Sequence, residues 1–183
     1  MKKIYFATTN QGKLKEAESI LGIKVIGTPL EIEEIQSLEA VKVATQKAKD
    51  YFKILKKPIF AEDMALSFSA LKGFPGTYIK DFLDTFGNKG LVELIKGNKD
   101  RTAYAQTTIV YIDREGLEHV FTGIVKGKIS DKPKGDKGFG WDPIFIPEGE
   151  NKTFGEMELN EKNKYSMRAK ALKKLSSWLN KNT

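Results

Sequence analysis

A chain of 183 residues, 40% hydrophobic and 30% charged, has the length of one domain and enough apolar content for a core. Zero cysteines and a single histidine, His119, exclude disulfide scaffolds, thiolate catalysis, cysteine-based zinc sites and multi-histidine metal centres. The formal net charge of +7 suits a polyanionic partner, and no apolar run approaches the roughly 20 residues of a membrane helix. Residues 3–8 are apolar and aromatic and predict a buried opening strand, not a signal peptide. A helix is expected over residues 11–21, with Leu14, Ala17, Ile20 and Leu21 on one face, then a strand over residues 23–26. Ser37 is placed to cap a helix over residues 38–55. A short strand over residues 58–61 ends in Glu62-Asp63, and residues 73–76 form a turn. Short helices are expected over residues 78–86 and 91–95. Residues 102–112 and 117–129 are rich in β-branched and aromatic residues and read as a hairpin about residues 113–116. A loop over residues 130–142, a strand over 144–146 and a helix over 166–179 close the chain. No repeat or linker divides residues 1–183, and the alternation of strands and helices around an inserted hairpin predicts an α/β fold with a mixed sheet.

The familiar nucleotide and hydrolase motifs are missing: there is no GxxxxGKS/T loop, no GxGxxG after a strand, no GxSxG elbow and no HExxH. Four other pieces carry chemistry. The first is Thr8-Thr9-Asn10-Gln11-Gly12-Lys13, where a buried strand gives way to a helix. Thr9 or Asn10 suits the N-cap. The first-turn N–H groups and the helix dipole suit an anion, and Lys13 adds a full positive charge. The same residues also suit an ordinary cap with a surface lysine. The second piece is Glu62-Asp63, with Glu31, Glu33, Glu34 and Glu39 upstream. An upstream carboxylate paired with Asp63 can hold Mg²⁺ with waters in the other positions, and a carboxylate there can take a proton from water. A solvated acidic loop is the plainer alternative.

The third piece is Gly138-Phe139-Gly140-Trp141-Asp142-Pro143. Phe139 or Trp141 can stack on a base, and Asp142, extended by the proline after it, can accept from a purine N1–H. The same aromatics also suit a loop packed into the core. The fourth is Lys162-Asn163-Lys164-Tyr165-Ser166-Met167-Arg168. With Ser166 as cap, Arg168 falls in a helix first turn, where the dipole disfavours a cation and an acceptor on a ligand would explain it. An exposed arginine at small cost is the alternative.

In this order and spacing, the four pieces resemble the inosine triphosphate pyrophosphatase family, the house-cleaning nucleotide hydrolases that include dITP/XTP pyrophosphatases. The resemblance runs from Lys3 to Leu175. Thr8 to Lys13, followed by Glu16, is similar to the family's T-G-N-x-x-K, with Thr9 in place of glycine. Glu62-Asp63 is similar to its acidic pair, and Gly73-Phe74-Pro75-Gly76 to its G-x-P-G segment. Phe139-Gly140-Trp141-Asp142-Pro143 is the most specific match. Ser166-Met167-Arg168 resembles S-H-R, with Met167 in place of histidine.

The resemblance implies an elongated mixed sheet flanked by helices, in two lobes with a central active-site cleft. It implies Mg²⁺-dependent hydrolysis of ITP, dITP and XTP to the monophosphate and pyrophosphate by a cytoplasmic homodimer. A membrane association or a stable nucleic-acid complex is not expected. Carried over by position, Thr8, Thr9, Asn10, Gln11, Gly12 and Lys13 hold the phosphates, with Lys47 and Lys80 as further contacts. Glu34 and Asp63 hold the metal, Glu39 being the alternative to Glu34, and Asp63 activates the water. Met64 joins the substrate-binding set. Phe139, Gly140, Trp141, Asp142, Lys162, Met167 and Arg168 surround the base, Arg168 offering a donor to the C6 oxygen. A donor to O6 and an acceptor for N1–H would leave both groups unpaired against adenine. Two rivals stand beside this reading. Residues 161–183 hold seven Lys or Arg and one Glu, which fits a basic nucleic-acid-binding module. A related pyrophosphatase for other modified nucleotides is the second.

Overall fold

The computed structural model describes residues 3–30 and 32–182; Glu31, one of the upstream acidic residues, lies outside the described residues. The chain opens with β1 (Lys3–Phe6), α1 (Gln11–Leu21), β2 (Lys24–Gly27) and α2 (Ala40–Leu55). Local chemistry sets both ends of α1. The Asn10 side chain accepts the Lys13 backbone N–H at 3.1 Å, and Gly22 ends the helix in the left-handed region at φ 66°.

β3 (Ile59–Phe68) is the first departure from expectation. The strand does not stop at Ala61 but continues through Glu62 and Asp63, because the apolar pattern resumes over Ala65, Leu66 and Phe68, all buried. β4 (Pro75–Gly76) pairs antiparallel with it, Leu66 opposite Gly76. The two short helices expected next are one element, α3 (Ile79–Glu93), interrupted at Gly87 by a φ of 63°. β5 (Thr102–Ile112) and β6 (Glu118–Ile129) form the expected hairpin, closed by the Asp113 N–H on the Leu117 carbonyl. A 3₁₀ turn over Asp142–Ile144 leads into β7 (Phe145–Pro147). α4 (Leu159–Tyr165) is absent from the sequence expectation, its seven polar-rich residues being too few for a periodic apolar face, and α5 (Met167–Asn182) closes the chain.

The sheet order is β2-β1-β3-β5-β6-β7, with β4 on β3. β1 runs parallel to β2 and β3, while β6 and β7 run antiparallel. The fold is therefore α/β with a mixed sheet, as the alternation of elements predicted. No helix among the described residues is long and apolar enough to cross a membrane.

The chain divides into two compact units. The first holds residues up to Asp63, Thr107–Gly123 and residues from Arg168 onward. There β3 and β5 are buried on both faces, with period-two alternation deciding which helix each residue meets. Phe6, Phe60, Ile109 and Tyr111 pack with Ala17 and Leu21 of α1 and Leu172 and Leu175 of α5. Ile59, Ala61, Val110 and Ile112 pack instead with Ala44, Ala48 and Tyr51 of α2. The Phe6 and Phe60 rings stack at 4.1 Å, and each fully buried leucine contributes about 1.5–3 kcal/mol. The second unit holds Met64–Gln106 and Ile124–Met167, and its core gathers Leu66, Phe68, Leu91, Phe145 and Phe154.

Candidate functional site

In the first unit the site grows out of strand alternation. Glu62 lies two residues beyond Phe60 and so shares the face that meets α1 and α5. Asp63 shares the opposite face, with Ile59 and Ala61. On α1, Lys13, Glu16 and Ala17 occupy one side at the three- and four-residue spacing. Arg168 stands at the start of α5. These elements bring together four charges. Arg168 Nε donates to Glu62 Oε2 at 3.0 Å and Nη2 donates to Oε1 at 2.9 Å, a two-pronged contact. Arg168 Nη1 donates to Glu16. Lys13 Nζ lies 3.1 Å from Glu62 Oε1.

Glu16, Glu62 and Arg168 are buried, and the Lys13 side chain is 24% exposed. Burial alone would push the Glu62 carboxyl up. The charges of Arg168 and Lys13 and their hydrogen bonds outweigh it and hold the group down to about 2. Burial likewise works against the charged form of Arg168, and Glu62 and Glu16 reverse it and raise its pKa. Where the sequence expected a ligand acceptor for Arg168, the structure supplies two carboxylates of the protein itself. They also offset the dipole penalty on a cation in a helix first turn.

The loop before α1 is tied together by short-range hydrogen bonds. Asn10 N–H donates to Thr8 Oγ1 at 3.2 Å, and Gln11 Nε2 donates to the Thr9 carbonyl at 3.3 Å. Gly27 lets β2 pass close by, since a Cβ there would lie 2.7 Å from the Thr8 carbonyl oxygen. Gly12 sits in the first turn of α1. On the α2 side, Lys47 pairs with Glu34, whose side chain is 45% exposed. Glu39 pairs instead with Lys42, one turn along the helix. Among the described residues, no group of three or more His, Asp or Glu side chains converges as a metal cage.

The second unit builds a different site. Asp142 Oδ2 accepts from Lys162 Nζ at 2.7 Å and from the Phe139 N–H at 2.8 Å, with Asp142 and Lys162 both buried. This clamps residues 139–142 into a tight turn. A Cβ at Gly138, whose φ is 75°, would collide with the Asp142 carboxylate. The Lys162 ammonium lies 4.7 Å from the Phe139 ring centre and 5.7 Å from that of Phe154. Asn88, just past the kink of α3, donates to the Gly140 carbonyl at 3.0 Å.

Of the two aromatic candidates, Phe139 is half-buried. Trp141 is buried against Phe145 at 5.7 Å, so the structure spends that ring on the core. Met167 is also a core residue, 1% exposed. Met64 is partly buried against the same core, and Lys80 is exposed and paired with Asp84 at 2.8 Å. The structure thus gathers Lys13, Glu62 and Arg168 at one place and Phe139, Asp142 and Lys162 at another. Glu34 and Lys47 form a third pair, Lys80 pairs with Asp84, and Trp141 and Met167 belong to the core of the second unit.

Sequence reasoning missed the parts that Glu16 and Glu62 play. The available signal was a charged residue on the apolar face of α1, beside Ala17, which needs a buried partner.

The profile of the Ham1 family matches residues 4–178 of this chain. The chain belongs to the Ham1 family. It is 41% identical to the dITP/XTP pyrophosphatase of Methanopyrus kandleri over 98% of this chain and 97% of that one. It is 44% identical to the inosine triphosphate pyrophosphatase of Yarrowia lipolytica over 96% and 95% of the two chains. The structure of a HAM1 protein from Coxiella burnetii superposes with a TM-score of 0.87 at 29% identity, covering 99% of this Ham1 chain and 100% of the other. These Ham1-family matches span all the clusters described above.

Proposed function

We propose that this protein hydrolyses non-canonical purine nucleoside triphosphates, ITP, dITP and XTP, to the monophosphate and pyrophosphate. The observation that carries the reading is the presence of two unlike clusters, one in each unit, on one family framework. One is a capped helix N-terminus with Lys13 beside it, suited to phosphates. The other is a clamped aromatic loop with Phe139 half-buried, suited to a planar base. The relatives' names supply the substrate class, and a triphosphate's charge of about −4 suits the helix start, Lys13 and Lys47.

In this mechanism Thr8, Thr9, Asn10, Gln11 and Gly12 orient the phosphates with their backbone and side-chain donors, and Lys13 binds a phosphate oxygen. Asp63 takes a proton from water as the water oxygen bonds to the α-phosphorus. The bond from that phosphorus to the bridging oxygen breaks, and pyrophosphate leaves with the electron pair. Glu34 and Asp63 are the residues that would hold Mg²⁺. Two hard carboxylates suit an ion that keeps several waters and shares substrate phosphates. When bound, Mg²⁺ supplies neutralisation of the phosphate charge.

The Phe139 ring stacks on the purine, and the clamped loop with Lys162 reads its edge. The Arg168 donors point at Glu62 and Glu16. We therefore assign it to holding the first site and place the choice of base in the 139–142 loop. Lys47 and Lys80 would add phosphate contacts from α2 and α3 by releasing Glu34 and Asp84. The resemblance adds a cytoplasmic homodimer, testable by light scattering of the purified chain. The deciding experiment is a panel of ITP, dITP, XTP, ATP, GTP and modified pyrimidine triphosphates with Mg²⁺, scored for pyrophosphate release. Turnover concentrated on ITP, dITP and XTP is expected. Turnover of the canonical set alone, or salt-sensitive binding to nucleic acid without turnover, contradicts the reading.

A further inference from the structure

We propose that Glu62 is a positioning residue for the known chemistry of this family: it holds the Lys13 ammonium at the start of α1, in the place where an incoming phosphate needs it. The inference rests on the reading of that helix start as the phosphate site.

Three observations lead to it. Glu62 is as rigid a carboxylate as a protein provides. Its side chain is 1% exposed, both oxygens accept from the planar Arg168 fork at 2.9 and 3.0 Å, and Glu16 holds the fork from its other edge. Lys13 is the opposite kind of group, a point charge on a flexible four-carbon stem that gives up rotamer freedom when fixed. The contact that fixes it is the 3.1 Å approach of Nζ to Glu62 Oε1. An ammonium has three N–H donors, so one directed at Oε1 leaves two for a phosphate oxygen.

Backbone geometry points the same way. The Lys13 N–H is held by Asn10 at 3.1 Å, so the root of the side chain is set by the cap and its tip by Glu62. The loss of freedom that a phosphate would otherwise impose on binding is met in folding. The Glu16–Arg168–Glu62 triad then has a use that its desolvation cost would not justify as a stabilising device alone.

A double-mutant cycle on the full-length chain tests this. Lys13→Ala, Glu62→Gln and the double variant are assayed for pyrophosphate release from ITP, with thermal unfolding followed in parallel. Glu62→Gln is expected to raise KM about tenfold while changing kcat less than about threefold. In the Lys13→Ala background the same change is expected to alter KM less than about twofold, because the group it positions is gone. If Glu62→Gln does not fold, Glu62→Asp takes its place. It keeps the charge for Arg168 and draws the carboxylate back by one methylene.

Two results overturn the inference. If the Glu62 effect persists in full without Lys13, it is structural. If KM falls, Glu62 competes with phosphate and does not present the lysine. A parent protein that releases no pyrophosphate from ITP, or a Lys13→Ala variant with unchanged KM, instead overturns the functional reading itself and the inference with it.

Discussion

Two buried carboxylates hold cations to different ends: Glu62 in the first unit holds Arg168 and Lys13, and Asp142 in the second holds Lys162. Glu62 is gripped by Arg168 and faces Lys13 near a helix N-terminus; the aromatic ring on its face of β3, Phe60, is spent on the stack with Phe6. Asp142 is gripped by Lys162 and by the backbone N–H of Phe139, with the rings of Phe139 and Phe154 around the ammonium. One carboxylate presents a mobile charge, the other fixes the shape of a loop that carries an aromatic face. On the proposed function, the same ion-pair chemistry serves a phosphate site where the neighbour is a helix start and a base platform where the neighbours are rings.

The comparison breaks most visibly at the residue beside Glu62. Asp63, on the other strand face, is the proton acceptor of the proposed mechanism, so Asp63→Asn is expected to lower kcat by roughly 10²–10⁴ while leaving the melting temperature near that of the parent. Near-normal pyrophosphate release would remove Asp63 from the mechanism. On the other side of the comparison, Asp142→Asn strands the Lys162 ammonium in a buried setting. Urea unfolding is expected to show a loss of about 3–5 kcal/mol, and a loss below 1 kcal/mol would mean that the loop does not depend on the clamp. Phe139→Ala removes the proposed platform and its contact with the Lys162 ammonium, and leaves the Asp142–Lys162 ion pair in place. It is expected to weaken kcat/KM for ITP and for ATP alike by about 1–3 kcal/mol, since stacking is blind to the exocyclic group. A loss confined to ITP would make Phe139 a reader of the base edge.

A third carboxylate, outside both sites, supplies the smallest effect and a control. Asp113 contacts the His119 ring at 2.6 Å and accepts the N–H groups of Glu115 and Leu117. Burial pushes its carboxyl up, but the His119 hydrogen bond and these N–H groups bring it below the ordinary 3.8. A lowered folded value means that the contribution is present above 3.8 and is lost as pH falls through the folded value. Asp113→Asn should therefore lower the melting temperature at pH 6, with the difference from the parent shrinking below pH 3.8 and activity on ITP unchanged. A difference that grows in acid would contradict the assignment.

Much of this was legible in the sequence, and what was not has a common cause. α1 was legible from end to end because its apolar spacing, the Asn10 cap and the Gly22 stop all lie within a dozen residues. The hairpin of β5 and β6 was legible for the same reason. β3 was read short because adjacent carboxylates look like a strand end. Glu62 is tolerated inside the strand because Lys13 and Arg168, the latter 106 residues away, neutralise it. That partner is invisible to local pattern, and so was the real setting of Arg168. Trp141 and Phe139 were indistinguishable as stacking candidates until packing placed Trp141 against Phe145. The clamp on Asp142 combines a lysine 20 residues away with a backbone N–H, and composition encodes neither.

The proposed function divides the labour, with the first cluster binding phosphate and the second binding base. Inorganic tripolyphosphate isolates it, because this probe has charge and no base. Its inhibition constant against ITP hydrolysis should rise about tenfold in Lys13→Ala and stay within about twofold of the parent in Phe139→Ala. Tripolyphosphate inhibition weakened by loss of Phe139 and indifferent to loss of Lys13 would contradict the account.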